Sequence, residues 1–166
     1  MQQLPDPRIR PTLFLDIDGV LNPTGTTSPP PGYELHATDE YRVATNPLHG
    51  QWLAQLATRY QLVWASTWAG AANTVFAPLY DMEQLPHVEF RHLRQPHEGT
   101  RKLSDIRDYV DEHAGDLPVA WIDDELYEDA HQWAAERNAP TLLLRTSSSV
   151  GMTLEDVQKL LAFVHP

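Results

Sequence analysis

Short apolar runs alternate with amphipathic stretches along most of the chain. The runs at residues 13–15, 62–65, 119–122 and 141–144 are too short for helices and read as buried strands. Val88–Phe90 offers a further short strand. Between the runs the apolar positions recur at helical spacing. Asn46 before Pro47 is a helix start, and Leu53, Leu56, Ala57 and Tyr60 follow on one face. Helices are also predicted at residues 71–79 and 102–110, the latter burying Leu103, Ile106 and Val110. Leu126, Ala130, Trp133 and Ala134 mark another face. A last one, with Leu154, Val157, Leu161 and Val164, opens on Thr153 and Asp156, a capping box with Asp in the usual Glu position. Strand–helix alternation of this kind predicts βα units, a mostly parallel sheet and a three-layer α/β fold.

The breakers divide the rest. Residues 1–11 form a Pro-rich arm, and 22–32, rich in Pro, Gly, Ser and Thr, read as a loop. Alternating stretches at 33–37 and 41–44 then read as either a small flap hairpin or a surface loop. At 166 residues, with 42% hydrophobic positions, the chain reads as one folded domain spanning 1–166. Its net charge of −11 counts against non-specific binding to long nucleic acid or to an anionic membrane. Having no cysteine, it has neither disulfides nor thiolate metal ligands. The expected location is the cytoplasm, since no apolar leader and no membrane-length run are seen.

Polar residues cluster where the apolar runs stop. Leu13-Phe14-Leu15 ends in Asp16-Ile17-Asp18-Gly19, with two carboxylates roughly 6.6 Å apart along an extended chain. The second strand ends in Ser66 and Thr67, and the third in Asp123 and Asp124. Ligands of open parallel sheets bind beyond the C-terminal strand ends, so neighbouring strands would bring these groups together. Clustered carboxylates are costly to desolvate without positive charge, and an all-oxygen donor set favours Mg²⁺. Lys102 opens a helix in the right slot to supply an ammonium. The surrounding 91–102 stretch holds four of the twelve Lys and Arg residues and reads either as an anion-attracting patch or, for Arg91 and Arg94, as a solvated charged loop.

Asp16-Ile-Asp18-Gly-Val-Leu-Asn22 resembles the first motif of the haloacid dehalogenase (HAD) superfamily. Ser66 or Thr67 resembles its second motif, Lys102 its third, and Trp121-Ile-Asp123-Asp124 its fourth. Residues 145–153 resemble the end of some small bacterial members. The resemblance implies a Rossmann-like sheet in the order 5-4-1-2-3. It also implies a phosphatase in which Asp16 is phosphorylated and Asp18 is the general acid and base. Mg²⁺ would be held by Asp16, the Asp18 carbonyl and Asp123, while Asp124 tunes the metal or fixes Lys102. Ser66 or Thr67, with Lys102, would hold the phosphoryl oxygens. Members that cleave carbon–halogen bonds or stop at the phosphoenzyme lack the acid found here at position 18.

Family members usually gain specificity from an inserted cap. The insertions at 23–46 and 69–100 leave room only for a hairpin and a helix, so the expected cap is minimal and the site open. That suits a phosphorylated small molecule or the exposed phosphorylated end of a macromolecule, or else an oligomer partner serving as lid. Three other readings use the same residues. One is an inactive metal- and phosphate-binding module acting as sensor or scaffold. The others are a receiver-type phospho-acceptor, which places its acids on different strands, and a metal-dependent nuclease. Trp64, Trp121, Trp52 and Trp133 read as packing, Trp68 as either packing or a substrate contact, and Ser147–Ser149 as a flexible loop.

Overall fold

The computed structural model describes residues 9–164; most of the expected N-terminal arm lies outside the described residues. Four strands build a parallel sheet: β1 (Thr12–Leu15), β4 (Gln61–Trp64), β5 (Val119–Asp123) and β6 (Thr141–Arg145). Their spatial order is β4-β1-β5-β6, with β1 pairing on both sides. Two antiparallel strands, β2 (Glu34–Ala37) and β3 (Arg42–Thr45), form a separate hairpin between β1 and α1. The helices are α1 (Pro47–Ala57), α2 (Ala71–Leu79), α3 (Leu103–Tyr109), α4 (Glu128–Glu136) and α5 (Leu154–Phe163).

β1 is buried on both faces, and its alternation separates two cores. Leu13, Leu15 and Ile17 pack with Leu53 and Leu56 of α1, Phe76 of α2, and Val157 and Leu160 of α5. Phe14 points the other way, with Val63, Val119 and Trp121, against Leu103 and Ile106 of α3 and Trp133 of α4. Helices on both faces explain why the strands read as continuous apolar runs.

The expected helix signals act as caps. Asn46 Oδ1 accepts from Leu48 N at 3.0 Å, and Thr153 and Asp156 bond reciprocally at the start of α5. Helix α3 ends in a π-helical turn, Val110–Ala114.

The segment at Val88–Phe90 is not a strand. The one parallel bridge nearby is made by His87, just ahead of it, with Trp64. Trp64 N bonds Pro86 O, and Val88 N returns to Trp64 O, both at 2.9 Å. The chain then turns away because the Arg91 and His92 amides donate to the buried Asp105 carboxylate of α3, at 3.2 and 3.0 Å. Side-chain capping has replaced ladder bonds there, so the sheet has four strands instead of the five the resemblance implies.

Residues 147–149 are a pinned turn, not a free loop. Thr24 N bonds Ser148 O at 2.7 Å, Met152 N bonds Val20 O at 2.7 Å, and Thr146 Oγ1 donates to Gly19 O at 2.7 Å.

Candidate active site

The strand alternation that separates the cores also aims the carboxylates. Asp16 follows Phe14 on the α3 side of the sheet, and Asp123 follows Trp121 on that same side. Asp16 N bonds Ile122 O at 3.1 Å, which holds the two strand ends level. The residue preceding α3, Lys102, lies over both. Its Nζ is 2.8 Å from Asp16 Oδ1 and 2.7 Å from Asp123 Oδ2. All three side chains are buried. Carboxylate oxygens of Asp16, Asp123 and Asp124 lie within 4.8 Å of one another.

Asp123 is committed to this frame. Its Oδ2 accepts from Lys102 and, at 3.2 Å, from Trp121 Nε1, while Oδ1 accepts from Glu125 N at 2.9 Å. The partner of Lys102 on β5 is therefore Asp123, and Asp124 stands on the other side, beside Gly19. Gly19 has φ +84°, and a Cβ there would lie 2.3 Å from Asp124 Oδ2. Only glycine both turns the chain there and lets Asp124 come so close.

Three carboxylates around one ammonium set the electrostatics. Burial, helped by Asp123, raises the Asp16 carboxyl well above its usual value, with Lys102 opposing. Partial burial and Asp123 raise Asp124 as well. Burial alone would lower the Lys102 pKa, but Asp16 and Asp123 outweigh it and hold the ammonium charged. An excess of negative oxygen donors in a small volume fits a hard divalent cation such as Mg²⁺, with Asp16 and the half-buried Asp124 its most available side-chain donors.

Asp18 is tied separately. Asn22 Nδ2 donates to its Oδ1 at 2.7 Å, and Trp68 Nε1 donates to its Oδ2 at 3.0 Å. Sequence reading left Trp68 open between packing and substrate contact; its indole bonds a carboxylate and its ring packs against Phe76. The nearby Asp18 carried no signal of this, because the contact spans fifty residues. Ser66 is buried just past β4, and its Oγ accepts from Trp68 N at 3.3 Å. Ala65 N, one residue earlier, bonds Leu15 O at 2.7 Å, which sets the Ser66 turn beside the end of β1. Thr67 is exposed.

The basic stretch is knitted inward. Arg91 pairs with Glu89, Arg94 with Asp129 at 3.3 Å, and Arg101 Nε donates to Arg94 O at 3.3 Å. Asp129 also accepts from Thr100 N and Thr100 Oγ1, the latter at 2.7 Å. Of the four cations in this stretch, Lys102 is the one bonded to the site carboxylates. The others fasten the loop that delivers it.

A parallel sheet covered on both faces, with acids at adjacent strand ends and a lysine between them, is the architecture of a HAD superfamily domain. The model of one family, described as the HAD domain in Swiss Army Knife RNA repair proteins, matches residues 12–157, and the chain belongs to that family. No curated protein and no solved structure gives a significant match. Among the described residues, no helix is long and apolar enough to cross a membrane.

Proposed function

We propose that the protein is a Mg²⁺-dependent phosphohydrolase that takes the phosphoryl group of a phosphomonoester onto Asp16. The observation that carries this reading is the position of Lys102 Nζ, within 2.8 Å of Asp16 and 2.7 Å of Asp123 at the ends of neighbouring strands. An aspartate nucleophile needs its phosphoryl acceptor oxygen exposed to substrate and its other charges balanced. Asp16 would attack phosphorus in line, forming an acyl phosphate as the ester P–O bond breaks. Asp18 would give a proton to the departing oxygen and later take one from the attacking water. Lys102 and the Ser66 hydroxyl, with Thr67 the second hydroxyl available, would hold the non-bridging oxygens. Asp16, Asp124 and the Asp18 carbonyl would hold Mg²⁺, leaving Asp123 to fix Lys102. When bound, the ion supplies neutralising charge for the phosphoryl oxygens.

The family description points to RNA repair, and the hairpin β2–β3 is the main insertion between β1 and α1. We therefore read the substrate as a phosphorylated RNA end. The net charge of −11 and the internal pairing of Arg91, Arg94 and Arg101 oppose extended backbone contacts, which favours recognition of the terminus over a long strand.

The test is a hydrolysis screen over phosphorylated metabolites, nucleotides, and oligoribonucleotides carrying a 5′- or 3′-phosphate, with and without Mg²⁺. The expected result is Mg²⁺-dependent phosphate release that Asp16→Asn abolishes without unfolding the protein. Absence of turnover across the panel, with beryllofluoride still stabilising the fold in Mg²⁺, would leave a binding module in place of an enzyme.

A further inference from the structure

We infer that Trp68 and Asn22 are positioning residues for Asp18, and that the β2–β3 hairpin acts on the proton-transfer step through both. This rests on the reading of Asp18 as the general acid and base.

The two Asp18 oxygens are held by different parts of the chain. Asn22 belongs to the turn that follows Asp18. Its Nδ2 donates to Asp18 Oδ1 at 2.7 Å while its Oδ1 accepts from Ala44 N of β3 at 2.9 Å. The backbone bond fixes which end of the amide faces Asp18, because the oxygen is already used by the hairpin. Trp68 reaches Asp18 Oδ2 from the opposite side, at 3.0 Å. Its ring is packed edge-on against Phe76 of α2, 5.1 Å between centroids, and against Tyr41 at the start of the hairpin's second strand, 6.4 Å away.

The backbone after Trp68 supports the assignment. Ala69 is one of two non-glycine residues with positive φ among those described, at +47°. A side chain in that region is held there by its surroundings at a cost. The Ala69 amide closes a turn to Ser66 O at 2.9 Å. The strained turn thus joins the buried Ser66 to the indole that grips Asp18.

The carboxylate is consequently fixed at both oxygens, by two N–H groups that the hairpin helps to orient, Asn22 through Ala44 and Trp68 through Tyr41. Displacing the hairpin loosens Ala44 from Asn22 and Tyr41 from Trp68 together. A leaving group that seats the hairpin places Asp18 for proton transfer, and one that does not seat it leaves the acid misaligned.

Trp68→Phe keeps an aromatic ring between Phe76 and Tyr41 and removes the donor. The experiment is rapid-quench measurement of Asp16 phosphorylation in a single turnover, in Mg²⁺, with p-nitrophenyl phosphate and with an alkyl phosphate. p-Nitrophenolate leaves without a proton, whereas an alkoxide needs one. The expected result for Trp68→Phe is a fall of at least tenfold for the alkyl ester and less than threefold for the nitrophenyl ester. Tyr41→Ala, just ahead of β3 and only partly buried, is expected to give the same pattern more weakly. An equal fall for both esters would show a structural role only, and an unchanged alkyl rate would remove Trp68 from positioning; either overturns the inference. Asp18→Asn in the same assay separates the two levels. If it spares the alkyl ester, the acid–base reading itself fails; if it suppresses that ester and Trp68→Phe does not, the inference alone fails.

Discussion

His49 makes folding stability fall in acid by an amount that can be worked out. It lies in α1, buried, with Nε2 3.2 Å from Met152 O and 3.5 Å from Tyr33 Oη. Its ring contacts Trp52 at 5.2 Å and Tyr33 at 5.5 Å between centroids. Nε2 therefore carries the proton, and the buried Nδ1 has no partner. A second proton would have to enter an aromatic enclosure with nothing to accept from it. Burial accordingly lowers the pKa from 6.5 to about 4, against a small upward pull from the Met152 carbonyl. The folded pKa lies below the unfolded one, so between these values the unfolded chain binds a proton that the folded chain refuses. Stability is unaffected above the unfolded pKa, falls as pH drops from 6.5 towards 4, and then levels off. The full difference corresponds to about 3 kcal/mol, of which about 2.5 kcal/mol is lost between pH 7 and 4.5. The assay is urea unfolding followed by far-ultraviolet circular dichroism at those two pH values, for wild type and His49→Gln. The glutamine amide can still reach Met152 O but does not titrate. Asp16 and Asp124, whose pKa values are raised, shift stability in the opposite sense, and they cancel because both proteins contain them. The wild type should lose about 2.5 kcal/mol more than the variant over this range. Equal losses in the two proteins would refute the reasoning.

Two further expectations follow from the site. Lys102→Met leaves Asp16 and Asp123 buried without their ammonium and should cost about 3–5 kcal/mol at pH 7, as for other broken buried pairs. Part of that loss should return at pH 5 as the raised Asp16 carboxyl takes up a proton, which denaturation at the two pH values would show. Gly19→Ala places a methyl group 2.3 Å from Asp124 Oδ2 at a φ of +84°. It should cost roughly 1–3 kcal/mol and displace Asp124, lowering Mg²⁺ affinity at least tenfold by titration calorimetry.

Much of the fold was legible because burial on both faces of a parallel strand leaves uninterrupted apolar runs. The runs at 13–15 and 119–122 lie within β1 and β5, and the Asn46-Pro47 and Thr153–Asp156 signals open α1 and α5. The alternating stretches at 33–37 and 41–44 pair as the hairpin. Val88–Phe90 misled because composition does not reveal where backbone amides go. Arg91 and His92 donate to Asp105, a partner fourteen and thirteen residues away, in place of a sheet neighbour. The grouping of Asp16, Asp123, Asp124 and Lys102 was readable from strand ends. Which acid holds Lys102 was not, since Asp123 and Asp124 are adjacent in sequence and both carboxylates reach the same small volume, yet the bond to Lys102 is made by Asp123. For the basic stretch, charge counts do not show that Asp129 and Glu89 pair with Arg94 and Arg91.

Two indoles donate directly to carboxylates of the site, Trp121 to Asp123 and Trp68 to Asp18. The protein thereby carries its own optical reporters, each one hydrogen bond from a carboxylate whose charge environment would change if the proposed ion or phosphate bound. Trp52 and Trp64 make no ring contact with either reporter and supply a steady background, while Trp133 packs edge-on against Trp121. Replacing Trp121 or Trp68 singly would divide the emission signal into a channel for the lysine side of the pocket and another for the hairpin side. Binding events at each could then be timed separately without any attached dye.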